Sequence, residues 1–163
     1  MAVFTNFAAT LARQPSAASL APRLKYLNFQ KVLFRFWPMY QFSFLIDWAG
    51  MHGHTSVIKA LAALSDRHGW SPVQWKDNNG WTPIHWAANN GHTEAVIALT
   101  ALTDQPNAAD CNGWTPIHWA ARKGHTEVVR SLALLTESPN SADHNQWTPI
   151  HWAAMKGHTG PQI

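Results

Sequence analysis

Six histidines recur at matching places along the chain, as the pairs His85 and His92, His118 and His125, and His151 and His158. The chemistry such a series would serve is metal binding, since imidazole is the commonest transition-metal ligand. A zinc site needs three or four ligands converging on one ion at about 2.0 to 2.3 Å. Histidines that recur in step with every residue around them are spread along the chain as framework, so no metal is expected. No Ser-His-Asp or Cys-His arrangement can be assigned roles, and no paired carboxylates stand apart from turns and helix starts. No glycine-rich phosphate loop precedes a helix, because Gly80 and Gly113 sit in turns. The sequence predicts no enzyme and no cofactor.

The elements that hold these histidines are legible residue by residue. Asp77-Asn78-Asn79-Gly80 is turn chemistry, with glycine free to take positive φ and Asp and Asn able to bond back to their own backbone. Thr82 can cap a helix, and Pro83 fits its first position, where a missing N–H costs nothing. That helix runs through Ile84, His85, Trp86, Ala87 and Ala88 to Gly91, which suits the left-handed residue ending a helix. Thr93 can cap a second helix, with Glu94 beside its positive end. Val96, Ile97, Leu99 and Leu102 give that helix an apolar stripe, and Pro106 stops it. The unit is turn, helix, turn, helix, and its helices are too short to stand alone.

The unit returns. Residues 77–109 and 110–142 are identical at 22 of 33 positions without a gap, and Trp147 to Ala154 begins a third copy. A unit that cannot bury its own stripe must stack on its neighbours and share one core. The alanine pairs 87/88, 120/121 and 153/154 let the first helices approach closely. Asp110, Gly113, Thr115-Pro116-Ile117-His118, Ala120-Ala121 and Gly124-His125, with their counterparts, resemble the ankyrin repeat signature over residues 42–159. That resemblance implies an all-α ankyrin-repeat solenoid of stacked antiparallel helix pairs joined by hairpin turns. It also implies histidines hydrogen-bonded to backbone groups of their own and adjacent repeats. Its implied function is a non-catalytic protein–protein interaction scaffold that uses a concave face and hairpin fingers.

The array is bounded as a degenerate repeat at about 43–76, full repeats 77–109 and 110–142, and a truncated repeat 143–163. In the degenerate copy Phe44 to Gly50 aligns with Thr82 to Ala88, so the capping Thr, the Pro and the His are lost. Its connection to the next copy is five residues longer, and Gly69 to Trp75 echoes Gly80 to Trp86 as an enlarged finger or a benign insertion. In the last copy Gly160 and Pro161 replace the second helix. Two full repeats with partial flanks barely meet the requirement of about three for stability, which suggests a piece of a longer protein.

Residues 1–41 form a basic, acid-free leader, expected to be disordered or poorly packed. Residues 1–46 hold Arg13, Arg23, Lys25, Lys31 and Arg35 and no acid, whereas residues 47–163 hold seven basic and nine acidic residues. The net charge of +3 therefore belongs to the leader, and the basic stripe of a nucleic-acid binder is absent from the stack. The leader reads either as a mitochondrial transit peptide or as plain disorder, with Pro15 and Pro22 interrupting an amphipathic helix. The apolar run Val32 to Ile46 is shorter than the ~20 residues of a membrane span and carries Arg35 and Pro38. It serves as the cover of a core or, alternatively, as an interfacial anchor. Cys111 is a single thiol, so an internal disulfide is excluded. The chain reads as cytoplasmic or nuclear, and a monomer is expected.

Partner contact is assigned to turn and post-helix positions, all of which differ between copies except the turn asparagine shared by the three. In the turns these are Asn78, Asn79, Cys111, Asn112, His144 and Asn145. After the first helix they are Asn89, Asn90, Arg122, Lys123, Met155 and Lys156. Arg122, Lys123 and Lys156 would line up as a basic strip suited to a partner with an acidic patch. Trp81, Trp114 and Trp147 lie between turn and cap, at the partner-facing position of the resembled family, and stacked repeats would bring them into a ladder. Their identity in every copy fits framework equally well. Trp86, Trp119 and Trp152 are assigned to packing of the inner helical layer. The resemblance also marks Asn107 and Asn140 as positions open to asparaginyl hydroxylation. Two further functional readings stand beside the scaffold: a regulatory segment of a larger enzyme or channel, and a single-stranded nucleic-acid binder stacking bases on the tryptophans, which the acidic array opposes.

Overall fold

A computed structural model describes residues 40–65 and 72–158. The leader, most of the apolar run, the start of the Gly69 to Trp75 echo and the Gly160-Pro161 end lie outside them. Among the described residues seven α-helices follow in order: α1 Tyr40–Met51, α2 Thr55–Ser65, α3 Pro83–Asn89, α4 Thr93–Thr100, α5 Pro116–Lys123, α6 Thr126–Leu135 and α7 Pro149–Met155. No strand occurs among the described residues. The first helices stack as α1 on α3, α3 on α5 and α5 on α7, and the second helices as α2 on α4 and α4 on α6. The result is the predicted two-layer stack of helix pairs.

The core runs along the seam between the layers. Ile46, Ile84 and Ile117 from the first helices meet Ile58, Val96, Leu99, Val128 and Leu132 from the second, all essentially inaccessible. Ala49, Ala87 and Ala120 are fully buried, so the first helices touch through small side chains. Removing any of the large aliphatics would leave a cavity costing about 2–5 kcal/mol.

Glycine closes the turns where the sequence predicts it, with Gly80 at φ +79° and Gly91 at φ +77°. The third hairpin has no glycine, and Gln146 holds the same left-handed geometry at φ +65°. Two local expectations shift. α4 and α6 begin on the threonine itself, so His92 and His125 occupy the cap positions, and neither helix gains a side-chain cap bond. Each imidazole instead reaches a carbonyl of the preceding repeat. The Gly69 to Trp75 echo forms no finger in its described part: Pro72–Gln74 is a single 3-10 turn whose Val73 is buried against α1, and Trp75 is half-buried.

Candidate functional site

Each hairpin finger is built by one aspartate. Asp110 Oδ1 accepts the N–H groups of Asn112 at 2.8 Å and Trp114 at 2.9 Å, while its own N–H bonds Trp114 O at 2.8 Å. Its second oxygen accepts the indole N–H of Trp119 at 3.1 Å, tying the finger to α5. Asp143 repeats this with Asn145, Trp147 and Trp152. Burial pushes the Asp143 carboxyl up, but the hydrogen bonds from Trp147, Trp152 and Asn145 outweigh it and hold the group below the usual carboxylate range. Neighbouring fingers join edge to edge, Cys111 N–H donating to Asn79 O at 3.0 Å and His144 N–H to Asn112 O at 3.3 Å.

The histidines lock finger to helix and repeat to repeat. Thr82 N–H donates to His85 Nδ1 at 3.0 Å, which places the ring proton on Nε2 and directs it to Trp114 O at 3.1 Å. His118 does the same between Thr115 and Trp147 O. Burial pulls His85 down to about 4, against the raising effect of the Trp114 carbonyl, and lowers His118 for the same reason. The second series, His92, His125 and His158, directs Nε2 to the carbonyls of Met51, Asn89 and Arg122 at 2.9, 3.1 and 2.9 Å. Thr82 Oγ1 lies 2.9 Å from His85 Nδ1, the outline of a nucleophile and base. Both residues are buried, however, and that nitrogen already accepts the Thr82 N–H, so the pair is structural.

The six repeat tryptophans form one zigzag. Trp81 touches Trp86 and Trp119 with ring centroids 4.5 Å apart in each case, Trp114 touches Trp119 and Trp152 at 4.6 and 4.4 Å, and Trp147 touches Trp152 at 5.0 Å. The interplanar angles of 48–57° are the tilted geometry aromatic rings favour. Arg122 lies over Trp114 and Trp119, its guanidinium carbon 5.4 and 5.6 Å from their ring centroids.

Accessibility separates the predicted contact residues. Asn78, Asn79, Cys111, Asn112, His144 and Asn145 are exposed at the finger tips, and Asn90, Lys123, Met155 and Lys156 are exposed after the first helices. Asn89, Arg122 and Trp81 are half-buried. Trp114 is buried at 7% exposure and Trp147 open at 37%, so one repeated position spans framework and surface. Asn107 donates its amide to Ser138 O at 2.9 Å, and Asn140 is exposed. Sequence reasoning missed the second bond of Asp110 and Asp143 to an indole nine residues on, a spacing visible in both copies. It also missed Asp47, at the His85 position, whose Oδ1 is buried without a partner among the described residues.

Among the described residues no helix is long and apolar enough to cross a membrane. No curated protein matches the chain. Two family models do, one described as ankyrin repeats in many copies over residues 46–100 and the other as ankyrin repeats in three copies over residues 98–160. Such repeats are generally protein–protein interaction modules, typically without catalysis. With the stacked helix pairs, the aspartate-built fingers and the histidine bridges between repeats, these matches place the chain in the ankyrin-repeat family.

Proposed function

We propose that this protein is a non-catalytic scaffold that grips another protein with its finger tips and the surface following its first helices. The observation that carries this reading is the split between locked and open positions. Of the signature residues, Thr82, His85, Ala87, Ala88, Asp110, Thr115, His118, Ala120, Ala121 and Asp143 are buried in the fold, whereas the copy-variable positions Asn78, Asn90, Cys111, Lys123, His144, Met155 and Lys156 are exposed. Arg122 is held by two indoles, and a cation fixed in this way loses little freedom when an acidic group meets it. Lys123 and Lys156 extend the positive strip beside it. The partner is therefore a protein presenting an acidic patch, with Trp81 and Trp147 offering apolar area around that contact. Trp114 acts beneath the surface, as the platform for Arg122.

The test compares full-length protein with an Arg122→Glu/Lys156→Glu variant as bait in cell extract, followed by mass spectrometry. Both positions lie outside the core, so the variant retains its circular dichroism. Acidic partners captured by the parent and lost by the variant support the reading. An unchanged set of captured proteins refutes the basic strip as the contact.

A further inference from the structure

Arg122 fills a place that the repeat before it leaves without a cation. Its guanidinium carbon lies 5.4 Å from the Trp114 ring centroid and 5.6 Å from that of Trp119, within the ~6 Å over which an aromatic face attracts a cation. The rings beneath it recur one repeat earlier in the same arrangement. Trp81 and Trp86 stand 4.5 Å apart at an interplanar angle of 57°, against 4.6 Å and 50° for Trp114 and Trp119. Asn89 occupies the position of Arg122 there, and among the described residues no cation lies over Trp81 or Trp86. These rings belong to an internal repeat, whose α3 packs between α1 and α5, and both are half-buried, as is Asn89.

A second feature sets this repeat apart. Asp110 and Asp143 accept the indole N–H groups of Trp119 and Trp152 on Oδ2. Asp77 builds its finger in the same way, accepting the Asn79 and Trp81 N–H groups on Oδ1, yet among the described residues its Oδ2 receives no indole N–H. The half-buried Asp77 therefore keeps one carboxylate oxygen open at the foot of the ring pair.

We propose that Trp81 and Trp86, with Asp77, bind an arginine side chain of the partner protein. Guanidinium is the group that the fold itself seats on the equivalent rings one repeat later. It stacks flat on an indole while its N–H groups stay free for an acceptor, the role open to Asp77 Oδ2. This deepens the scaffold reading and rests on it only in taking the ligand from a protein. Stacked helices lie about 8–10 Å apart. The partner thus presents its arginine about that far from the acidic group that meets Arg122, and the two opposite charges fix its register.

The probe is N-acetylarginine amide, titrated into the full-length protein and followed by NMR at the indole N–H signals of Trp81 and Trp86, assigned with Trp81→Phe and Trp86→Phe. Saturable shifts of both signals are expected, with a Kd in the millimolar range that suits so small a ligand. N-acetylcitrulline amide has the same shape without the charge and should bind roughly tenfold more weakly or worse. Asn89→Arg sets a guanidinium on the rings from within and should weaken the probe by a similar factor. Its backbone carbonyl still accepts His125, as Arg122 O accepts His158, so the fold is retained, checked by circular dichroism. The Arg122→Glu/Lys156→Glu variant should bind the probe at least as tightly as the parent, so the basic strip and this site stand or fall separately. Unshifted indole signals, equal binding of the citrulline probe, an Asn89→Arg protein that binds as well as the parent, or loss of the probe from the strip variant each overturns the proposal.

Discussion

Replacing Asp47 by asparagine should make the protein's stability fall more steeply as pH drops from 7 to 5. Burial, reinforced by the Asp77 carboxylate, pushes Asp47 up from 3.8 to about 7. Its folded pKa is raised, so the stability it confers is complete below about pH 4 and is lost as pH rises through about 7. His85 has the opposite sign. Burial pulls it from 6.5 to about 4, so its contribution is present above about pH 6.5 and is lost as pH falls toward 4, where the unfolded chain takes a proton the folded chain refuses. At about 1.4 kcal/mol per unit, going from pH 7 to 5 gains about 2 kcal/mol at Asp47 and loses about 2 kcal/mol at His85. The two nearly cancel, with His118 adding to the loss. Asp47→Asn removes only the gain, so the variant should lose about 2 kcal/mol or more over the same range. Urea titrations at both pH values, followed by far-ultraviolet circular dichroism, measure the slope. Equal slopes for parent and variant would refute the reasoning.

Asp110→Ala removes three hydrogen bonds at once, to two finger N–H groups and the Trp119 indole, and should cost about 3 kcal/mol by urea midpoint. A shift below half of that would mean that the carboxylate is not the keystone of its finger. Gln146→Gly relieves a left-handed backbone at φ +65° and should stabilise by about 1 kcal/mol, read as a higher melting temperature. Trp114→Ala, at 7% exposure between two other indoles, should cost about 3–5 kcal/mol, and Trp147→Ala, at 37% exposure on the open end, about 1 kcal/mol. Equal midpoints for the two variants would contradict the graded burial.

Much of this was readable because each local signal agreed with the global one. Thr82-Pro83 starts a helix, Gly91 ends it, and the 33-residue step forces stacking, so period, caps and alanine pairs specify the same architecture. What escaped sequence reasoning depends on neighbours. Trp81, Trp114 and Trp147 are chemically identical, and their surroundings decide burial: Trp114, between Trp119 and Trp152 and under Arg122, is buried, whereas Trp81 is half-buried and Trp147 exposed. His92 and His125, at the caps of α4 and α6, bond carbonyls of the preceding repeat, a contact that no local sequence signal encodes. Val73 entered the core through a single 3-10 turn, too short for any periodicity to reveal. Gln146 gives no sign of left-handed backbone, since glutamine has no preference for it, and the hairpin ladder imposes the geometry.

The six indoles at centroid separations of 4.4–5.0 Å are near enough to share an excited state. Light absorbed by any one of them migrates along the row before it is emitted, so the row's share of the emission is weighted toward its lowest-energy indole and not toward their average. Deleting the indole at 114 would remove the link that touches both Trp119 and Trp152, and emission anisotropy would rise as migration along the row is reduced.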